Sequence, residues 1–209
     1  MGPIRFVAYS DYLCPWCYNA SRRLARLEAE AGDVEIEWRS YLLRPRPAAR
    51  RDLEPFRRYT ESWRRPAAEP DGAPFRTWTG DAGPPSHSVP AHLVAKAAAA
   101  VGPGAFRRIH DRLLAAYFEE SRDISADDTL RALWAEVGLP EGDFERRADP
   151  ALLERVLAEH AEALAMGANG VPAVRQDGVD AVVTGALPYE AYVRWAARIR
   201  ERRNAATSL

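Results

Sequence analysis

The residues most able to do covalent chemistry in this chain are its two cysteines, which stand as Cys14-Pro15-Trp16-Cys17. Two thiols at this spacing form a redox unit, because one thiolate can attack a disulfide and the second can displace it from the mixed intermediate. A structural disulfide closing so small a loop would constrain the unfolded chain little. A structural zinc site needs four ligands, and the only other soft donors are His87, His92, His110 and His160. These histidines lie far along the chain, and none forms a closely spaced ligand pair beside a second pair of cysteines. The redox dithiol is therefore the preferred reading.

The flanking residues say how the pair is held. Ile4-Arg5-Phe6-Val7-Ala8-Tyr9 is a short apolar run of strand formers. Cys17, Ala20, Leu24, Leu27 and Ala31 step by three or four, and Gly32 sits where a helix C-cap belongs. Pro15 fits the first helical turn, where a missing N–H is harmless. Cys14 is thus expected at the N-cap of a helix that follows a strand. Free N–H groups and the helix dipole at that point stabilise a thiolate, which favours the reduced pair and makes the disulfide more oxidising.

Val34-Glu35-Ile36-Glu37-Trp38-Arg39 alternates apolar and charged residues, a strand with one buried face, which completes a right-handed βαβ unit. The stretch from Arg44 to Pro85 then holds half of the 16 prolines together with Phe56, Tyr59, Trp63, Phe75 and Trp78. So many aromatic residues argue for an ordered segment draped over the core, either as packing or as a wall of the active-site cleft. Helical patterns follow from Val89 to Val101, through Phe106, Ile109, Leu113 and Tyr117, and through Leu130, Leu133 and Val137. The third is expected to open on a capping box at Ser125-Ala126-Asp127-Asp128. A fourth helix starts at Asp149-Pro150 and runs through Leu153, Leu157 and Leu164. Strand character returns at Val171-Pro172-Ala173-Val174, with a turn at Asp177-Gly178 leading into Ala181-Val182-Val183. A last helix begins near Pro188 and buries Tyr192, Trp195 and Ile199.

Composition narrows the function classes. A formal net charge of −1 lacks the basic footprint of a nucleic-acid binder. No apolar run approaches a membrane span, and the N-terminus lacks the pattern of a secretory signal, so a cytoplasmic protein is expected. Lys96 is the sole lysine.

Ser10-Asp11-Tyr12-Leu13-Cys14-Pro15-Trp16-Cys17-Tyr18, with Gly170-Val171-Pro172 late in the chain, resembles the DsbA-like thioredoxin-fold family, and within it the cytoplasmic FrnE-like branch. The resemblance covers essentially the whole chain. It implies an α/β thioredoxin fold (βαβ…ββα) with an all-helical insertion domain. The thioredoxin-like domain would comprise residues 1–43 and 165–209, and the Pro/Arg-rich loop plus helical insertion residues 44–164. It also implies that Pro172 is cis and faces the dithiol, so that the Val171 backbone can pair with an extended substrate. Cys14 would be the nucleophile and Cys17 the resolving thiol, with Val171, Pro172, Trp16, Pro15, Asp11 and His92 as candidate substrate contacts. Asp11 is the nearest acid to the dithiol and is read chiefly as a cap of the turn before the helix. His160 is read as structural.

The activity so implied is thiol–disulfide exchange with protein or small-molecule thiols. The Cys14–Cys17 disulfide is its redox group, with no other cofactor, no metal and glutathione as an admissible co-substrate. Partners would be thiol or disulfide substrates and an external thiol redox partner, without nucleic acid or membrane, for a monomer or homodimer. Two other classes compete. A glutathione-dependent isomerase or transferase, like the 2-hydroxychromene-2-carboxylate isomerase or kappa-class enzymes, shares the fold but usually has Ser where Cys14 stands. A chaperone-like binding protein would use the helical insertion as an apolar cleft, its dithiol being secondary.

Overall fold

The structure is a computed structural model that describes residues 2–48 and 52–207. Arg50 and Arg51, part of the Arg-rich stretch noted in the sequence, lie outside the described residues. Strand β1 (Ile4–Ser10), helix α1 (Pro15–Ala31) and strand β2 (Val34–Ser40) form the first unit. Helices α2 (Leu53–Thr60) and α3 (Arg64–Ala67) follow, joined by a 3-10 turn. Next come α4 (Val89–Val101), α5 (Pro103–Phe118), α6 (Asp127–Glu136) and α7 (Pro150–Ala165). The chain closes with β3 (Ala173–Gln176), β4 (Val183–Thr184) and α8 (Tyr189–Thr207).

The sheet has the order β2-β1-β3-β4. Strands β1 and β2 are parallel, and β3 runs antiparallel to both β1 and β4. Because β1 is central, its alternating side chains feed two cores. Ile4, Phe6 and Ala8 pack with Leu24 and Leu27 of α1 and Tyr192 and Ile199 of α8. Val7 and Tyr9 point the other way, against Ala163 of α7, Ala168 and Tyr41. A third core fills the helical region, where Trp63, Trp78, Ile109, Leu113, Phe118 and Trp134 are all buried. Tyr12, Leu13 and Tyr18 belong to this third core, so the segment around the dithiol joins the sheet to the helices.

Three local expectations need correction. Ser125 does not cap α6; the helix begins after Ala126, and the Ser125 hydroxyl bonds instead to Asp123. The second hairpin strand is shorter than the sequence suggests: it spans only Val183–Thr184, and residues 177–182 run as a turn and loop. Trp195 is only partly buried, edge-on to Phe6. The Pro-rich segment is mainly packing: Phe56, Trp63 and Trp78 are buried together while Tyr59 faces solvent.

Candidate active site

Cys14 is the N-cap of α1, with Pro15 in the first turn and Gly32 in the left-handed C-cap conformation at φ 68°. Its Sγ accepts a hydrogen bond from the Cys17 amide at 3.3 Å. Its thiol donates to the Val171 carbonyl at 3.2 Å. The two sulfurs are not bonded to one another. The Val171–Pro172 peptide is cis. Chain segments 157 residues apart thus meet at one sulfur.

The second thiol is in a different setting. Cys17 is fully buried. Burial, followed by the neighbouring Cys14, pushes its thiol well above the usual range. The Asp11 backbone and the Ser10 hydroxyl act against that shift. An exposed rim completes the front of the site, where Trp16 is 37% exposed and Pro15 half-buried beside it.

Asp11 lies behind this rim rather than on it. It is completely buried, and its carboxylate accepts from the Leu13 amide at 2.7 Å, the Leu43 amide at 2.6 Å and the Ser88 hydroxyl at 2.6 Å. The first of these is the expected turn cap. The other two tie the dithiol loop to the exit of β2 and the start of α4. Burial raises its carboxyl to about 6 in spite of these donors. Both oxygens are committed to the chain itself, so Asp11 holds the site's shape and offers no oxygen to a substrate.

His92 also departs from the cleft-wall expectation. It is 4% exposed, packed against the Tyr12 ring, and burial together with Lys96 lowers it to about 3. Its apolar enclosure within α4 keeps it neutral and away from solvent. His160 is structural: Nδ1 accepts from the Leu42 amide at 3.2 Å, and its ring meets Tyr41 edge-on.

Several supporting residues were given no role by the sequence. Asn19 clamps the Pro-rich segment to α1, donating to the Pro66 carbonyl at 2.8 Å and accepting from the Ala73 amide at 2.9 Å. His110 joins Tyr12 and Ser21 at 2.9 Å and 2.8 Å. Lys96 and Glu159 form a buried ion pair at 2.6 Å, with Glu159 also accepting from the Ser40 amide. Ser88, just before α4, uses its hydroxyl for Asp11 and the Arg44 amide and does not cap the helix.

Among the described residues no helix is long and apolar enough to cross a membrane. Comparison with known proteins agrees with this architecture. No curated protein matches the chain significantly. A probable DsbA oxidoreductase from Streptomyces coelicolor superposes with TM-score 0.74 at 26% identity, covering 93% of this chain and 89% of its own. The cytosolic disulfide reductase DsbM from Pseudomonas aeruginosa, solved with GSH, gives 0.74 at 22% identity over 96% of this chain and 100% of its own. A 2-hydroxychromene-2-carboxylate isomerase gives 0.65 at 17% identity, covering 99% of this chain and 100% of its own, a likeness of fold alone. The family described as DSBA-like thioredoxin domain matches residues 5–194, nearly the whole chain, and with a helix-capping Cys14 facing Val171 the protein belongs to that family of thiol–disulfide oxidoreductases.

Proposed function

We propose that this protein exchanges disulfides with thiol substrates, with Cys14 as nucleophile and Cys17 as resolving thiol. The observation that carries the reading is the setting of Cys14 Sγ, between the Cys17 amide and the Val171 carbonyl. The helix-terminal amide donates to that sulfur, and the carbonyl from the distant segment accepts from its thiol. The buried Cys17, held protonated, is suited to act second, once Cys14 is already in a mixed disulfide. Val171 offers backbone beside the reacting sulfur, where an extended substrate could pair, and Trp16 and Pro15 supply an apolar rim. A protein or a low-molecular-weight thiol fits this opening. The DsbM structure solved with GSH supports glutathione as co-substrate, and its cytosolic origin supports a cytoplasmic location.

Attack of the Cys14 thiolate on a substrate disulfide forms a Cys14–substrate disulfide and releases one substrate thiolate. Cys17 then attacks Cys14 Sγ, forming the Cys14–Cys17 disulfide and releasing the second. The substrate gains two electrons and the protein loses two; the reverse sequence oxidises a dithiol. Direction follows from potential: equilibration in glutathione buffers giving about −270 mV indicates a reductant, and about −120 to −180 mV an oxidant or isomerase. Cys14→Ser is expected to reduce insulin-disulfide reduction to background, and Cys17→Ser to accumulate a mixed disulfide visible by mass spectrometry. Full turnover by the Cys14→Ser protein would overturn the reading.

A further inference from the structure

Strand β2 lies at one edge of the sheet, so every second residue along it has no neighbouring strand for its backbone groups. The odd-numbered residues face β1: the Tyr41 amide donates to the Ser10 carbonyl, and the Asp33 carbonyl accepts from the Ile4 amide. Ile36, Trp38 and Ser40 therefore turn their N–H and C=O groups to the open side. Charged side chains from three helices take three of these groups. Glu28 of α1 accepts from the Ile36 amide at 2.9 Å, Lys96 of α4 donates to the Trp38 carbonyl at 3.3 Å, and Glu159 of α7 accepts from the Ser40 amide at 2.7 Å. Between the Glu28 and Lys96 caps stand the Ile36 carbonyl and the Trp38 amide, to which the described residues supply no partner.

Both residues line a cleft of about 440 Å³, whose apolar walls also include Ala99, Pro103 and Phe106. That volume suits a small ligand or a short peptide segment. The charged walls favour an anion. Glu28 is committed to the Ile36 amide and Arg107, and Glu37 to Arg39. Arg155, among the described residues, bonds through Nε alone, to Glu159, and its side chain is 57% exposed. Its two terminal nitrogens are left to offer a carboxylate.

We propose that this edge binds the C-terminal end of an extended peptide through its free carboxylate. Laid parallel to β2 and opposite Glu37, the last residue donates its N–H to the Ile36 carbonyl. One of its carboxylate oxygens accepts from the Trp38 amide. This direction carries the second oxygen toward Arg155, which lies with Glu159 at the Ser40 end of the strand; the reverse direction would aim it at the Glu28 carboxylate. Side chains alternate, so the penultimate residue falls on the face of Ile36 and Trp38. Trp38 and Phe106 both meet the His110 ring there, and an apolar side chain fits. The Glu28 and Lys96 caps limit pairing to one residue, so the edge takes a peptide end and does not accept a full strand. None of these groups touches Cys14 or Cys17, so peptide binding here is independent of the dithiol chemistry.

The test titrates the reduced, isotope-labelled full chain with acetylated leucyl-alanine bearing a free C-terminus, a probe without a thiol, and follows backbone amide resonances. Saturable binding with a Kd on the order of 1 mM is expected for a ligand of this size, with the Trp38 amide proton moving downfield as it gains an acceptor. The same peptide ending in a carboxamide is expected to bind at least about fivefold more weakly. Arg155→Gln is expected to weaken binding of the free acid about threefold and to leave the carboxamide unchanged. Ala99→Trp, at an exposed position in the cleft wall, is expected to abolish binding. No saturable shift at the Trp38 amide up to about 10 mM peptide overturns the proposal. Equal affinity for acid and carboxamide, or undiminished binding to Ala99→Trp, does the same. Shifts confined to residues around Cys14 and Val171 would place the peptide at the dithiol alone and equally overturn it.

Discussion

Asp11 permits a quantitative test of how burial acts on the loop that carries the dithiol. Its carboxyl rises from 3.8 to about 6 on folding, chiefly because the ionised form is removed from water. A raised carboxyl favours the folded state when protonated. The contribution is therefore fully present below about pH 3.8 and lost as pH rises through about 6. For these two values linkage gives about 2 kcal/mol of relative stabilisation at pH 4.5 over pH 7, and about 3 kcal/mol at the acid limit. Asp11→Asn removes the titration while retaining one acceptor for the Leu13 amide. Urea unfolding of both proteins at pH 7 and pH 4.5 isolates the effect, since groups common to both cancel in the difference. The parent should gain about 2 kcal/mol on Asp11→Asn as pH falls over that range. A gap that is flat, or that moves the other way, would show that the three donors outweigh desolvation.

Other perturbations give separate outcomes. His92 and His110, each held near 3 chiefly by burial, stay neutral in the fold but gain protons when unfolded. Each should therefore cost about 3 kcal/mol as pH falls from 7.5 to 4.5, and His92→Phe should flatten the measured pH dependence of stability by that amount. Lys96→Met leaves the buried Glu159 carboxylate without its closest cation, and a loss of about 3–5 kcal/mol in urea unfolding is expected. Pairing it with Glu159→Gln should recover part of that loss. Arg23 is 2% exposed in its side chain and bonds Asp71, Glu69 and the Ala186 and Leu187 carbonyls. Arg23→Lys cannot reproduce this fork, so a lower thermal midpoint is expected by calorimetry.

The fold was legible wherever local chemistry and periodicity pointed the same way. The Cys14 cap, Pro15, the Cys17-to-Leu27 stripe and the Gly32 stop specify α1, because each satisfies a requirement of that one helix. Asp149 likewise caps α7 through the Ala151 amide. Ser125 shows the limit of such cues, since its hydroxyl donates to Asp123 and accepts from the Ser86 amide rather than from the helix. His92 shows another: helical spacing places a residue on a face but does not say whether that face meets solvent or Tyr12.

The sequence alone determined the thiol pair, the helix end that holds its first member, and the order of the elements around it, since all of these depend on residues close in the chain. Tertiary structure decided what surrounds the sulfurs. Val171 reaches Cys14, and Ser88 and Leu43 converge on Asp11. Contacts between residues so far apart in sequence have no local periodicity to announce them. They are fixed only when the two faces of β1 and the helical core are packed at the same time.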